Sequence, residues 1–324
     1  PMPENAKTKL AGMDGVLTSG NPKSMHSPKQ VNEIHVPVML ARTIEILGKS
    51  LNSQNAVLVD CTLGLGGHAE AFLEAFPELT VIGIDRDVSA LQLASERLSR
   101  FGKRALFSHA TYDEILDVVA EHGFETVQGV LLDLGVSSMQ LDEAERGFAY
   151  SYDAPLDMRM DTTESLTAAD IVNEYAEKDL ARIFKEFGEE RYAKTIAAAI
   201  VEKRQTSKFE SSAALAKLIV DIVPFIPGKS KGHPAKRVFQ ALRIEVNREL
   251  DVLRDTMPAA IEALGVGGRI LVLAYQSLED RIVKQALAAA SQSSAPIDLP
   301  IELPEHAPTL RLVVKGAELA SEDR

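Results

Sequence analysis

The stretch VDCTLGLGGHAEAF, residues 59–72, joins a strand end, a glycine-rich turn and a helix start. Asp60 stands four residues ahead of Gly64. Gly64, Gly66 and Gly67 allow a ligand to come close to the backbone. Asp85 closes the next strand-like run, 21 residues after Gly64, where an acid can accept hydrogen bonds from ribose hydroxyls. Gly64, Gly66 and Ala69 also satisfy G-x-G-x-x-A, so a nicotinamide-dependent oxidoreductase stays open, although a lone match of this kind is weak. Charge favours a different ligand. A pyrophosphate gains little beside Asp60, whereas S-adenosylmethionine brings a sulfonium and an ammonium that a carboxylate attracts. Asp133, at a later strand end, adds to that preference.

These residues need a frame that gathers strand ends. Apolar runs at 56–60, 79–85, 104–110 and 127–135 read as strands, and the last is apolar enough to be buried on both faces. Helical stretches follow each of the first three: one opening at GHAEAFLEAF and stopped by Pro77, one at 88–100 and one near 112–121. Two later runs, 267–275 and 309–316, read as a fifth and a last strand. Repeated strand–helix units imply a parallel, doubly wound α/β sheet that binds its ligand beyond the carboxyl ends of the strands. An acid, a glycine loop, a ribose-binding acid and a further acid-bearing loop is the layout of a class I S-adenosylmethionine-dependent methyltransferase.

Asp133 and Arg269 lie 136 residues apart, far more than one helical crossover uses. Leu180, Ile183, Phe184 and Phe187 follow a helical stripe, and Leu215, Leu218, Ile219 and Ile222 repeat it. The expected organisation is a methyltransferase domain formed by 34–139 and 237–324, interrupted by an all-helical lobe at 140–236. HPAKRVFQALRIEVNRELDVL (233–253) reads as one long helix with Pro234 near its first turn. Residues 1–33, rich in Pro, Ser, Gly, Asn and Lys, read as a disordered tail.

Composition narrows the setting. In 324 residues Cys61 is the single cysteine, so no internal disulfide can form. No apolar stretch has membrane-spanning length and no signal peptide is visible, so a cytoplasmic protein is expected. A net charge of −12 argues against nucleic-acid binding by the whole surface. Locally the balance reverses. Lys229, Lys231, Lys236, Arg237, Arg243 and Arg248 face one acid, Glu245, between 229 and 248, which is either a phosphate track or a solvated face.

LLDLGVSSMQLDEAERGFAYSYDAPLDMRMD (131–161) resembles the RsmH, or MraW, family. So do HVPVML (35–40), DCTLGLGGH (60–68), GEERYAKTIAAAIV (188–201), HPAKRVFQALRIEVNREL (233–250) and SLEDRIVK (277–284). The likeness runs from about 34 to 285. That family comprises bacterial methyltransferases acting on the N4 amine of a cytidine in the decoding region of 16S ribosomal RNA. The resemblance implies that Gly66, Gly67 and His68 contact the cofactor, that Asp85 binds its ribose, and that Tyr112 lies beside its adenine. Asp133 and Gln140 complete the set, with Asp60 and Gly64 on the same loop. It also implies an assembled small ribosomal subunit as partner rather than naked RNA. Two departures stand out. Tyr275 and Gln276 occupy places where many members have Phe and His, and the sequence closes on ASEDR rather than a basic tail, which is expected to weaken RNA contacts.

For such a reaction the amine must be aimed, because the N4 lone pair is delocalised into the ring. Positioning contributes about 7–11 kcal/mol, whereas a general base adds about 10²–10⁴-fold. Asp133 is therefore expected to accept an N4 hydrogen bond, helped by backbone carbonyls of 134–136. A base in folded RNA must be exposed and stacked. Phe148, Tyr150 and Tyr152 offer such surfaces, followed by Asp157, Arg159 and Asp161. Tyr150, Tyr152, Arg159, Lys229, Lys231, Lys236 and Arg237 are the candidate RNA contacts. Plainer roles compete: lobe packing for the aromatics, a salt-bridge network for Arg159, and burial for Cys61 in place of a catalytic thiol. His68 has no second ligand at useful spacing, so no metal is expected. The rival functions are a nicotinamide oxidoreductase and a non-catalytic RNA-binding protein.

Overall fold

The computed structural model describes residues 37–135, 146–150, 153–224, 232–296, 303 and 306–320. The expected tail, Gln140, Tyr152, Lys229 and Lys231 lie outside the described residues. Helix α1 (Leu40–Leu51) leads into strand β1 (Val57–Asp60), whose four residues are all buried. Then follow α2 (Gly67–Ala75), β2 (Thr80–Asp85), α3 (Val88–Leu98), β3 (Ala105–His109), α4 (Ile115–Glu121) and β4 (Val127–Asp133). The five strands, closing with β5 (Leu264–Leu273), pair in the order β3-β2-β1-β4-β5, and every pairing is parallel. The chain therefore winds outward from β1 in one direction and returns through β4 in the other. The reversal falls between β1 and β4, at the ends of which stand Asp60 and Asp133.

Alternation across the strands sends side chains to two cores. Val59, Ile84, Val130 and Leu132 pack with Ile115 and Val118 of α4 on one face. Leu58, Val81 and Leu131 pack with Leu47, Phe72 and Leu98 on the other.

Between β4 and β5 lie α5 (Ala168–Glu174), α6 (Glu177–Glu186), α7 (Ala193–Arg204), α8 (Ser212–Ile222), α9 (Lys236–Asn247) and α10 (Glu249–Glu262). The two predicted stripes are inward faces. Leu180, Ile183 and Phe184 are fully buried in a third core, with Leu215 and Ile219. That core continues along α9 to Val246, so α9 belongs to the helical packing as much as to the return path. Helix α11 (Ser277–Ala290) follows β5. No helix among the described residues is long and apolar enough to cross a membrane.

Two expectations need correction. The single helix over 233–253 is two, broken at Arg248 with φ 50° and ψ 33°. Asn247 is the reason: its Nδ2 donates to Met158 O at 2.8 Å and its Oδ1 accepts from Met160 N–H at 2.7 Å. Its own carbonyl accepts from Arg86 at 2.8 Å, so the helix end is held by tertiary partners. Residues 309–316 form no strand. The N–H groups of Thr309 and Leu310 both donate to Ala290 O, at 2.9 and 3.0 Å, which ties the run to the end of α11. Leu312 and Val313 are left exposed. A β-prone sequence becomes a strand only where an edge receives it.

Candidate functional site

The crevice begins with the glycine turn. Gly66 caps α2 with φ 77°, a left-handed conformation that suits glycine. A Cβ on Gly67 would come within 2.8 Å of Pro37, so side-chain-free backbone is required there too. Gly64 donates its N–H to Asp85 Oδ2 at 2.7 Å, and Asp85 Oδ1 accepts from Asp87 N–H at 2.9 Å. Asp85 thus fastens the turn while each of its oxygens keeps a second lone pair for a hydroxyl. Helix α2 starts at Gly67, so its N-terminal partial positive charge falls at this turn.

Three strand-end acids surround this turn. Asp60 is 1% exposed, and its Oδ1 accepts from Thr62 N–H at 3.3 Å. Burial pushes its carboxyl up to about 7, with Asp133 and Asp85 adding to the rise. Burial also raises Asp85. Asp133 is more open, its side chain 26% exposed. The hydroxyl of Thr62 accepts from its backbone N–H at 2.6 Å, and Tyr275 Oη donates to its Oδ1 at 2.7 Å. His68 Nε2 lies 3.6 Å from Asp133 Oδ2. Burial holds this imidazole down at about 4, so it is neutral near pH 7. Neither ring nitrogen of His68 has a hydrogen-bond partner among the described residues, although buried polar atoms are normally satisfied.

Tyr112 sits in the turn after β3, half-buried, with the Arg86 guanidinium 5.7 Å from its ring centre. A cavity opens beside it under Leu134 and Gly135, lined also by Thr62, Arg86, Met160, Glu249 and Glu279. Burial raises the Tyr112 hydroxyl above its ordinary range, so it remains a hydrogen-bond donor. Arg146 binds Asp87 at the start of α3 and donates to the carbonyls of Arg159 and Met160 at 3.0 and 2.8 Å. With Asn247 it fixes the segment near residue 160 against the crevice.

Asp60, Gly64, Gly66, Gly67, His68, Asp85 and Asp133 therefore meet at one switch point, with Tyr112 one strand further out. The candidate RNA contacts are arranged differently. Tyr150 stacks on His233, ring centres 4.5 Å apart, and meets Phe239 edge-on at 5.9 Å. Phe148 is part of the helical core. Arg159 bonds both oxygens of Asp157, at 2.8 and 2.7 Å, and the carbonyls of Thr162 and Glu164. Lys236 and Arg237 are exposed at the start of α9, Arg237 donating to Glu189 O at 2.6 Å. Arg243 does not belong to the basic track: it turns inward onto Glu249 through two bonds of 2.8 and 2.9 Å.

Sequence reasoning passed over Thr62, Asn247, Glu249 and Glu279. Glu279 Oε2 accepts the N–H groups of Tyr275 and Gln276, at 3.0 and 3.1 Å. The Glu three residues into α11 was a readable capping signal; the Arg243–Glu249 pair, which spans the break at Arg248, had none.

The chemistry of the donor set suits S-adenosylmethionine: carboxylates for cationic and hydroxyl groups, a glycine turn for close approach, and unpartnered ring nitrogens on His68. Comparison with known proteins agrees. Ribosomal RNA small subunit methyltransferase H of Nocardia farcinica is 55% identical over 291 residues, covering 89% of this chain and 90% of that protein. The protein of the same name from Saccharopolyspora erythraea is 54% identical over 288 residues, covering 89% and 87%. That of Clavibacter michiganensis subsp. michiganensis is 55% identical over 292 residues, covering 90% and 92%. A SAM-dependent O-methyltransferase from Thermotoga maritima superposes with a TM-score of 0.25 at 16% identity, over 33% of this chain and 39% of that one, a likeness too slight to carry weight. The family model described as the MraW methylase family matches residues 32–324, strand-end acids and glycine turn included, and the chain belongs to that family.

Proposed function

We propose that this protein methylates the N4 amine of a cytidine in the decoding region of 16S ribosomal RNA, within the small subunit and in the cytoplasm. S-adenosylmethionine supplies the electrophilic methyl group when bound. The backbone of Gly64, Gly66 and Gly67 with His68 would hold it, Asp85 would take its ribose and Tyr112 would flank its adenine. Asp60 supports its positive charge. Gln140 is assigned to the same set by family likeness.

Asp133 carries the reading. It ends β4, the neighbour of the central strand β1, stands at the topological switch point and has a part-exposed side chain. Accepting a hydrogen bond from the N4 amine there favours a pyramidal nitrogen and aims its lone pair. The neutral His68 beside it does not compete as a cation. The helical unit of α5–α9, rigidly cored and bearing Lys236 and Arg237, serves as the substrate-recognition lobe. Tyr150, Arg159 and Arg237 support that surface mainly by shaping it, since each is already engaged within the protein. Nucleoside mass spectrometry of 16S RNA from cells lacking the protein tests the assignment. N4-methylcytidine should fall and return on complementation; an unchanged content rejects it.

A further inference from the structure

We infer that Tyr275 is a positioning residue for the methyl transfer, its hydroxyl donating to Asp133 Oδ1 at 2.7 Å and so fixing the direction in which that carboxylate meets the substrate amine. The inference rests on Asp133 being the N4 acceptor. A carboxylate at a strand end turns about its own side-chain bonds unless something holds it. The backbone of Asp133 is held by Thr62 Oγ1 at 2.6 Å, which anchors the main chain and leaves the carboxylate orientation to side-chain partners. Among the described residues, Tyr275 donates to one carboxylate oxygen and His68 Nε2 lies 3.6 Å from the other. A phenol donating to a carboxylate gives a short, charge-assisted bond, the strongest kind a neutral side chain offers.

Tyr275 is itself well placed to act as an anchor. It follows β5, which pairs with β4 in register so that Leu273 lies opposite Asp133. Its N–H and that of Gln276 are both held by the buried Glu279. The sheet register and the α11 cap thus bring the hydroxyl to Asp133 from a fixed backbone. The ring is 53% exposed, so it contributes little to the core and loss of its hydroxyl leaves folding intact.

Steady-state kinetics on small subunits from cells lacking the enzyme test this with Tyr275→Phe, Asp133→Asn and the double variant. Tyr275→Phe should lower kcat about tenfold, the scale of losing orientation at a reacting group. KM for the subunit, S-adenosylmethionine affinity by calorimetry and the melting temperature should stay at wild-type values. Added to Asp133→Asn, it should cost nothing more. Unchanged kcat in Tyr275→Phe, an equal drop in both backgrounds, or a change confined to KM or melting would overturn the role of Tyr275 while leaving Asp133 in place. Full turnover by Asp133→Asn would instead remove the acceptor on which the role depends.

Discussion

The strand-end crevice and the helical unit use polar residues in opposite ways. In the crevice, Asp60, Asp85 and Asp133 meet although they are far apart in the chain, and lone pairs and ring nitrogens are left over. In the helical unit the conspicuous polar residues are consumed locally: Arg159 by Asp157, Arg243 by Glu249, Tyr150 by His233. A parallel sheet delivers each strand end to the same edge, so a residue at that position is aimed without further help. A helix surface offers several neighbours, and a long side chain takes whichever is within reach.

Four substitutions probe that contrast. Asp133→Asn should have the largest effect, lowering turnover by about 10²-fold or more while the protein unfolds at its usual temperature. Comparable loss from a helical-unit variant at unchanged stability would break the distinction. Arg243→Ala leaves Glu249 buried without its cation. It should cost about 3–5 kcal/mol in urea unfolding. A loss below about 1 kcal/mol would mean that the pair is not the closure between α9 and α10 that it resembles.

Asp60 gives the pH dependence. With its carboxyl raised to about 7 by burial, the folded protein keeps a proton that the unfolded chain has released above pH 4. The contribution of Asp60 to stability therefore falls as pH rises from about 4 to about 7. A bound cation favours the ionised form, so S-adenosylmethionine should bind about tenfold more tightly at pH 8 than at pH 6. Binding should release a proton, visible by calorimetry in buffers of different ionisation heat. Asp60→Asn should flatten the binding trend and remove its falling share of stability; His68, held down at about 4, adds stability as pH rises between about 4 and 6.5 and so opposes Asp60 there. Persistence of the full pH dependence in Asp60→Asn would move its origin elsewhere, Asp85 being the next acid raised by burial.

The smallest effect is expected at Tyr150→Ala. Loss of its stack should destabilise by about 0.5–1.5 kcal/mol, with KM for the subunit little changed. A raised KM at unchanged stability would show instead that the ring meets RNA, and the helical unit would then share the crevice's way of working.

Much of the architecture was readable from local pattern. Strands β1, β2 and β4 show as apolar runs ending in Asp60, Asp85 and Asp133, and the stripes at Leu180 and Leu215 show as helical faces. Those features depend on residues a few places apart, which a linear reading can see. Other features required distant partners. Arg248 breaks a helix because Asn247 is held by Met158 and Met160, and 309–316 is no strand because its amides end on Ala290. Tyr275 looked like a simple replacement until parallel register brought its hydroxyl to Asp133, 142 residues away. Sequence alone determined the strands that carry the crevice, the acids that end β1, β2 and β4, and the helical stripes, since periodicity and turn chemistry are short-range. Tertiary structure decided which polar groups remain available for a ligand, because a hydrogen bond or ion pair depends on whatever the completed fold places within about 3 Å.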